Sequence, residues 1–132
     1  MRSEPVPQQS ASPKRTVLVV EDDILVRLTI ADHLRGAGYI VFEAPNAAEA
    51  AAVFASGERV DVVFTDVQMP GAMDGLMLAR WVQEHYSGTQ IIVTSGKREA
   101  ALSSGFISER AFFSKPYAFE AIANRIRSLL EQ

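Results

Sequence analysis

The chain has 132 residues, 48% of them hydrophobic and 22% charged, with a formal net charge of −3. That composition fits one globular domain with its own core and gives no bulk basic signal for nucleic acid. The absence of cysteine excludes disulfides and thiolate metal sites, and no apolar run approaches the roughly 20 residues that span a bilayer.

The opening "MRSEPVPQQSASPKR" lacks the apolar centre of a signal peptide. Its Pro, Ser and Gln content makes residues 1–14 a disordered lead-in and 15–132 the folded domain. A cytoplasmic location with neither membrane nor nucleic-acid partners is the default expectation. "TVLVV" (16–20) reads as a strand covered on both faces. Asp23 can cap a following helix whose apolar stripe is Ile24, Leu28, Ile30, Ala31 and Leu34, ending at Gly36 or Gly38. "YIVFEA" is a second strand. In the next helix Asn46 and Glu49 have capping-box spacing, and Gly57 closes it.

"VDVVFTD" (60–66) is a third strand, and "GLMLARWVQEHYSG" a third helix with apolar faces from Leu76, Met77, Ala79, Trp81 and Val82. "QIIVTS" is a fourth strand. The segment 97–110 lacks a clear amphipathic stripe and carries Gly105; a short helix over 98–103 is the expectation, and Lys97–Arg98 reads as solvated loop charge. "AFFSK" is a short fifth strand. The last helix, "PYAFEAIANRIRSLL", has Pro116 just before or at its first turn and a stripe of Ala118, Ile122, Ile126 and Leu129. Strands alternating with helices predict a parallel sheet covered on both faces.

In open parallel sheets, ligands bind beyond the carboxyl ends of the strands. Those ends deliver Glu21, Asp22 and Asp23, then Asp66, then Thr94 and Ser95, then Lys115. If the first and third strands are neighbours, carboxylates converge there, and like charges that close repel by about 1–4 kcal/mol per pair near a surface. A cation would remove the repulsion. Oxygen ligands without His or Cys suit Mg²⁺ in preference to Zn²⁺. A carboxylate, a hard metal, a Lys and a hydroxyl together suit a phosphoryl group, and a carboxylate can itself be the nucleophile.

"VLVVEDD" (17–23), "DVVFTDVQMPGAMDGL" (61–76), "IIVTSG" (91–96) and "FFSKPY" (112–117) resemble the response regulator receiver domain of two-component signalling, in its single-domain, chemotaxis-type form, over roughly residues 14–130. The resemblance implies a flavodoxin-like doubly wound α/β fold with a five-stranded parallel sheet, order 2-1-3-4-5. It implies about five helices, the fourth here short or irregular. Asp66 would be the phosphoacceptor. Asp22 and Asp66 would bind Mg²⁺ directly, Glu21 through a water, and Gln68 through its main-chain carbonyl. Lys115 would hold a phosphoryl oxygen from a cis Lys-Pro bond.

Between the two hydroxyls of "TSG", Ser95 followed by Gly96 fits the family better than Thr94 followed by Ser95. Ser95 and Phe112 would form the switch, Phe112 moving into space that Ser95 vacates; Gln68 and Lys97 would set how fast water removes the phosphoryl group. The donor would be a histidine kinase or a histidine phosphotransfer protein. The domain would promote its own phosphorylation and dephosphorylation, and a downstream protein would read the result. Because two residues follow Leu130, the expectation is a stand-alone receiver or a piece of a longer protein.

Other readings fit less well. His33 and His85 have no metal partner at ligand spacing. An aspartyl phosphatase generally wants a second Asp where Gln68 stands, and "EDD" after the first strand would repel a pyrophosphate. The alternative that remains is a receiver-like interaction module working without phosphorylation.

Overall fold

The structure is a computed structural model and describes residues 14–97, 102, 105 and 107–131. The expected lead-in, except for Lys14, and the expected short helix over 98–103, except for Leu102, fall outside them. The described elements are β1 (Thr16–Val20), α1 (Ile24–Gly36), β2 (Ile40–Ala44), α2 (Ala47–Ala55), β3 (Val62–Asp66), α3 (Gly75–His85), β4 (Gln90–Ser95), a 3₁₀ turn (Glu109–Ala111), β5 (Phe112–Ser114) and α4 (Phe119–Leu130).

The strands form one parallel sheet in the order β2-β1-β3-β4-β5. Four α-helices are present among the described residues, where about five were expected. β1 and β3 are buried along their whole length, as continuous apolar runs covered on both faces must be. Alternate side chains divide the core. Val17, Val19, Phe64 and Ile92 pack with Ile30, Leu34, Ile122 and Ile126 on one face. Leu18, Val20, Val63 and Val93 pack with Phe54, Leu78, Val82 and Phe112 on the other. Each fully buried side chain of this kind contributes about 1.5–3 kcal/mol.

The expected caps are in place. Asp23 accepts from the N–H groups of Leu25 and Val26, and Asn46 from that of Glu49. Gly57 follows α2 at φ 92°, where a side chain would be strained. The apolar stripe of α1 is displaced from the expectation: Ile30, Ala31 and Leu34 are buried, but Ile24 and Leu28 are 57% and 42% exposed. Burial on α1 is confined to its C-terminal half, so its first turns leave apolar groups in solvent. α3 differs similarly, burying Gly75, Leu78, Ala79 and Val82 while Met77 is 53% exposed. α4 begins at Phe119, so Pro116 precedes the helix rather than lying in its first turn.

Candidate functional site

Parallel pairing sets the site. β1 and β3 run in register with Val20 opposite Thr65, so one residue further Glu21 stands level with Asp66. β3 and β4 place Asp66 opposite Thr94. Glu21 and Asp66 follow Val19 and Phe64 at a spacing of two, so both belong to the sheet face that α1 and α4 cover. The result is a cluster in which carboxylate oxygens of Glu21, Asp22 and Asp66 all lie within 4.8 Å of one another. Glu21 and Asp66 are buried, 4% and 5% exposed; Asp22 is exposed. Asp23 stands apart as the cap of α1.

Lys115 closes the cluster. Its Nζ lies 2.8 Å from Asp66 Oδ2, and its backbone N–H donates to the Ser95 carbonyl at 3.0 Å, across a Lys115–Pro116 bond that is cis as expected. Burial alone would lower the pKa of the Lys115 ammonium. The hydrogen bond and charge of Asp66, with the charges of Glu21 and Asp22, outweigh that and raise it above its ordinary value. The Glu21 carboxyl is raised as well. Burial first, then the charge of Asp66, opposed by a hydrogen bond from the Asp23 N–H, push its carboxyl up to about 7. Burial and the charges of Glu21 and Asp66 also push the Tyr117 hydroxyl well above its usual value, so Tyr117 borders the cluster.

The donor set decides which ion fits. These are hard oxygen ligands with neither His nor Cys in the group, and burial, with the charge of Asp66 added to it, raises the carboxyl of one of them, Glu21. A hard divalent cation satisfies both conditions. The Gln68 N–H reaches Asp66 Oδ1 at 3.3 Å, and the residue itself is exposed.

Ser95 is buried, and its Oγ accepts from the Lys97 N–H at 2.9 Å. Thr94 is also buried, but among the described residues its Oγ1 has no hydrogen-bond partner. Phe112 is opposite Val93 and is 4% exposed. It is thus already inside the core, so any switching movement starts from there. His85 Nδ1 lies 2.9 Å from the Trp81 carbonyl, and the His33 ring packs near Phe119; neither belongs to the carboxylate cluster.

Two contributors escape a reading of the sequence. Gly75 opens α3 directly against the end of β3: a Cβ there would overlap the Asp66 carbonyl oxygen, and the Gly75 N–H bonds the Val67 carbonyl at 2.8 Å. The only hint is the "MDGL" turn, with Asp74 as the cap. Arg27 donates from Nη1 to the Glu21 carbonyl at 2.9 Å, and nothing in the sequence singles it out. Beside the cluster, Val26, Lys115, Pro116, Tyr117 and Phe119 line a groove of about 480 Å³.

The family model for the response regulator receiver domain matches residues 17–127. The chain is 33% identical over 124 residues to the sensor kinase CckA of Brucella abortus, covering 92% of this chain and 13% of that protein. It is 34% identical over 121 residues to the response regulator MprA of Mycolicibacterium vanbaalenii, covering 88% of this chain and 50% of that protein. It therefore spans half or less of the length of these two relatives. Among solved structures, the response regulator TrrA of Thermotoga maritima, in complex with Mg²⁺ and BeF, superposes with a TM-score of 0.75 at 27% identity, covering 87% of this chain and 98% of that one. No helix among the described residues is long and apolar enough to cross a membrane.

Proposed function

The chain belongs to the response regulator receiver family, and on that footing we propose that it is a cytoplasmic phosphoacceptor in which Asp66 takes a phosphoryl group from a phosphohistidine. The donor is a histidine kinase or a histidine phosphotransfer protein. The observation that carries this reading is the meeting of three carboxylates within 4.8 Å with an ammonium 2.8 Å from one of them.

Asp66 is the member of the cluster that combines burial, a position at the end of β3 and direct contact with Lys115. One of its oxygens attacks phosphorus. The new P–O bond forms as the P–N bond to imidazole breaks, and the electron pair of that bond leaves with the ring. Lys115 moves from the carboxylate to a phosphoryl oxygen and keeps its proton throughout, consistent with its raised pKa. Asp22 and Asp66, Glu21 through a water and the Gln68 main-chain carbonyl would hold Mg²⁺, whose charge offsets that of the phosphoryl oxygens. The groove beside Lys115 and the exposed Ile24, Leu25 and Leu28 on α1 leave an open approach for a donor protein.

The acyl phosphate adds roughly −1.5 to −2 charge if it behaves like other phosphoryl groups. Ser95 then gives up the Lys97 N–H and donates its own hydroxyl to a phosphoryl oxygen. Phe112, on the same face of the sheet, readjusts in the space Ser95 leaves, and the surface near β4 and β5 changes for a downstream protein. Phosphorylation biases this rearrangement only by the difference in its contacts with the two arrangements. Gln68 and Lys97 flank the site and set the rate at which water removes the phosphoryl group.

The test is labelling by acetyl phosphate in Mg²⁺. Wild type takes label, and Asp66→Asn takes none while folding normally. Label persisting on that variant would overturn the assignment. Amide shifts on adding beryllofluoride provide a second readout, and their complete absence would favour a module that works without phosphorylation.

A further inference from the structure

Arg27 sits one turn into α1, its N–H bonded to the Asp23 carbonyl at 2.9 Å, and its side chain is 14% exposed. The guanidinium turns back along the helix to two partners. Nη1 donates to the Glu21 carbonyl at 2.9 Å, and Nε reaches Glu43 Oε1 on β2 at 3.4 Å. Glu43 is held in turn by Arg35 Nη2 at 3.1 Å, and the same Arg35 nitrogen donates to the Val41 carbonyl at 2.9 Å. A chain of charged groups thus runs from β2 and the end of α1 to the loop that carries Glu21 and Asp22.

The peptide units on either side of the Glu21 Cα are both fixed. The N–H of one donates to the Ala44 carbonyl at 3.0 Å; the C=O of the next accepts from Arg27. Because peptide units are planar, anchoring both fixes the two backbone dihedrals of Glu21 and hence the direction of its side chain. The second unit also contains the Asp22 nitrogen, so Asp22 leaves it in a set direction. A charged donor to a carbonyl is stronger than a neutral one, and the planar fork of Arg serves two acceptors in one geometry, which Lys cannot.

We infer that Arg27 is a positioning residue for cation binding: it touches neither the phosphoryl group nor the metal, but holds the loop that presents Glu21 and Asp22. The inference rests on the phosphoacceptor reading. Groups that orient metal ligands typically contribute 10–100-fold to affinity. Arg27→Gln should therefore weaken Mg²⁺ binding about 10-fold by that precedent, measured by calorimetry or amide shifts, while saturating Mg²⁺ restores the rate of labelling by acetyl phosphate. In the metal-free protein, amide hydrogen exchange across residues 22–26 should quicken. Arg27→Lys and Glu43→Gln should give smaller losses of the same kind, and they carry the test if Arg27→Gln does not fold.

An Arg27→Gln protein with wild-type Mg²⁺ affinity and wild-type exchange would overturn the inference, as would a labelling defect that saturating Mg²⁺ does not repair. A wild-type protein that binds no Mg²⁺ and takes no label overturns the phosphoacceptor reading, and this inference with it.

Discussion

Asp61, immediately before β3, and Asp66, its last residue, are both buried aspartates, in opposite electrostatic company. At the amino end, Asp61 Oδ2 accepts the Thr16 N–H at 2.8 Å, and Oδ1 faces Arg59 Nε at 3.2 Å and Arg15 Nη1 at 3.9 Å. Its backbone joins β1 and β4, donating to the Thr16 carbonyl at 2.9 Å and accepting from Gln90 at 2.8 Å. A single carboxylate meets two guanidinium groups, so its charge is answered in place. At the carboxyl end, Asp66 is as deeply buried but shares its surroundings with Glu21 and Asp22 and faces the Lys115 ammonium. Burial of an aspartate does not by itself mark a reactive group. A surplus of like charge around it does, because such a cluster becomes comfortable only when a cation or a proton arrives.

The strongest way to break this comparison is to neutralise each aspartate in turn. Asp66→Asn should remove labelling entirely and, by relieving repulsion, raise the thermal stability of the metal-free protein. Asp61→Asn should leave labelling intact and lower stability by about 2 kcal/mol, since hydrogen bonds to charged groups contribute on that scale; urea unfolding reads the difference. If both variants lose stability and both keep label, the two ends are alike and the distinction fails.

Added Mg²⁺ sharpens it next. At 100 times its dissociation constant, an ion bound only by the folded state stabilises by about 2.7 kcal/mol. Wild type and Asp61→Asn should show that gain in thermal unfolding, while Asp22→Asn should lose most of it.

The pH dependence gives a smaller effect. In the fold Glu21 keeps its proton up to about 7, whereas its ordinary value is 4.5. Between those values the folded state binds the extra proton, so the contribution of Glu21 to the stability of the metal-free protein is fully present below 4.5 and is lost as pH rises toward 7. Glu21→Gln should flatten that slope, and Asp61→Asn should leave it in place. A slope unchanged in Glu21→Gln would assign it to another group.

The smallest expected change is at Thr94, which stands opposite Asp66; its buried hydroxyl lacks a partner among the described residues. Thr94→Val keeps the shape and removes the unsatisfied group, which should stabilise by about 1 kcal/mol. A loss of stability would show that the hydroxyl has a partner in solution.

The sequence alone determined the order of the elements, the caps at Asp23 and Asn46 and the list of groups at the strand ends. Those depend on local periodicity and on short-range hydrogen bonding, which residue type and spacing encode. The resemblance added the strand order and a role for each of Glu21, Asp22, Asp66, Ser95 and Lys115. The tertiary structure alone decided which face of α1 is buried, that Asp61 is pinned while Asp66 is crowded, that Gly75 must lack a side chain against Asp66, and that Arg27 holds the Glu21 carbonyl. Each of these is a matter of what lies opposite a residue across strands or loops, or one helical turn back on the backbone. Composition and spacing carry no record of such distances, and burial and charge acquire their consequences only once neighbours are fixed in space.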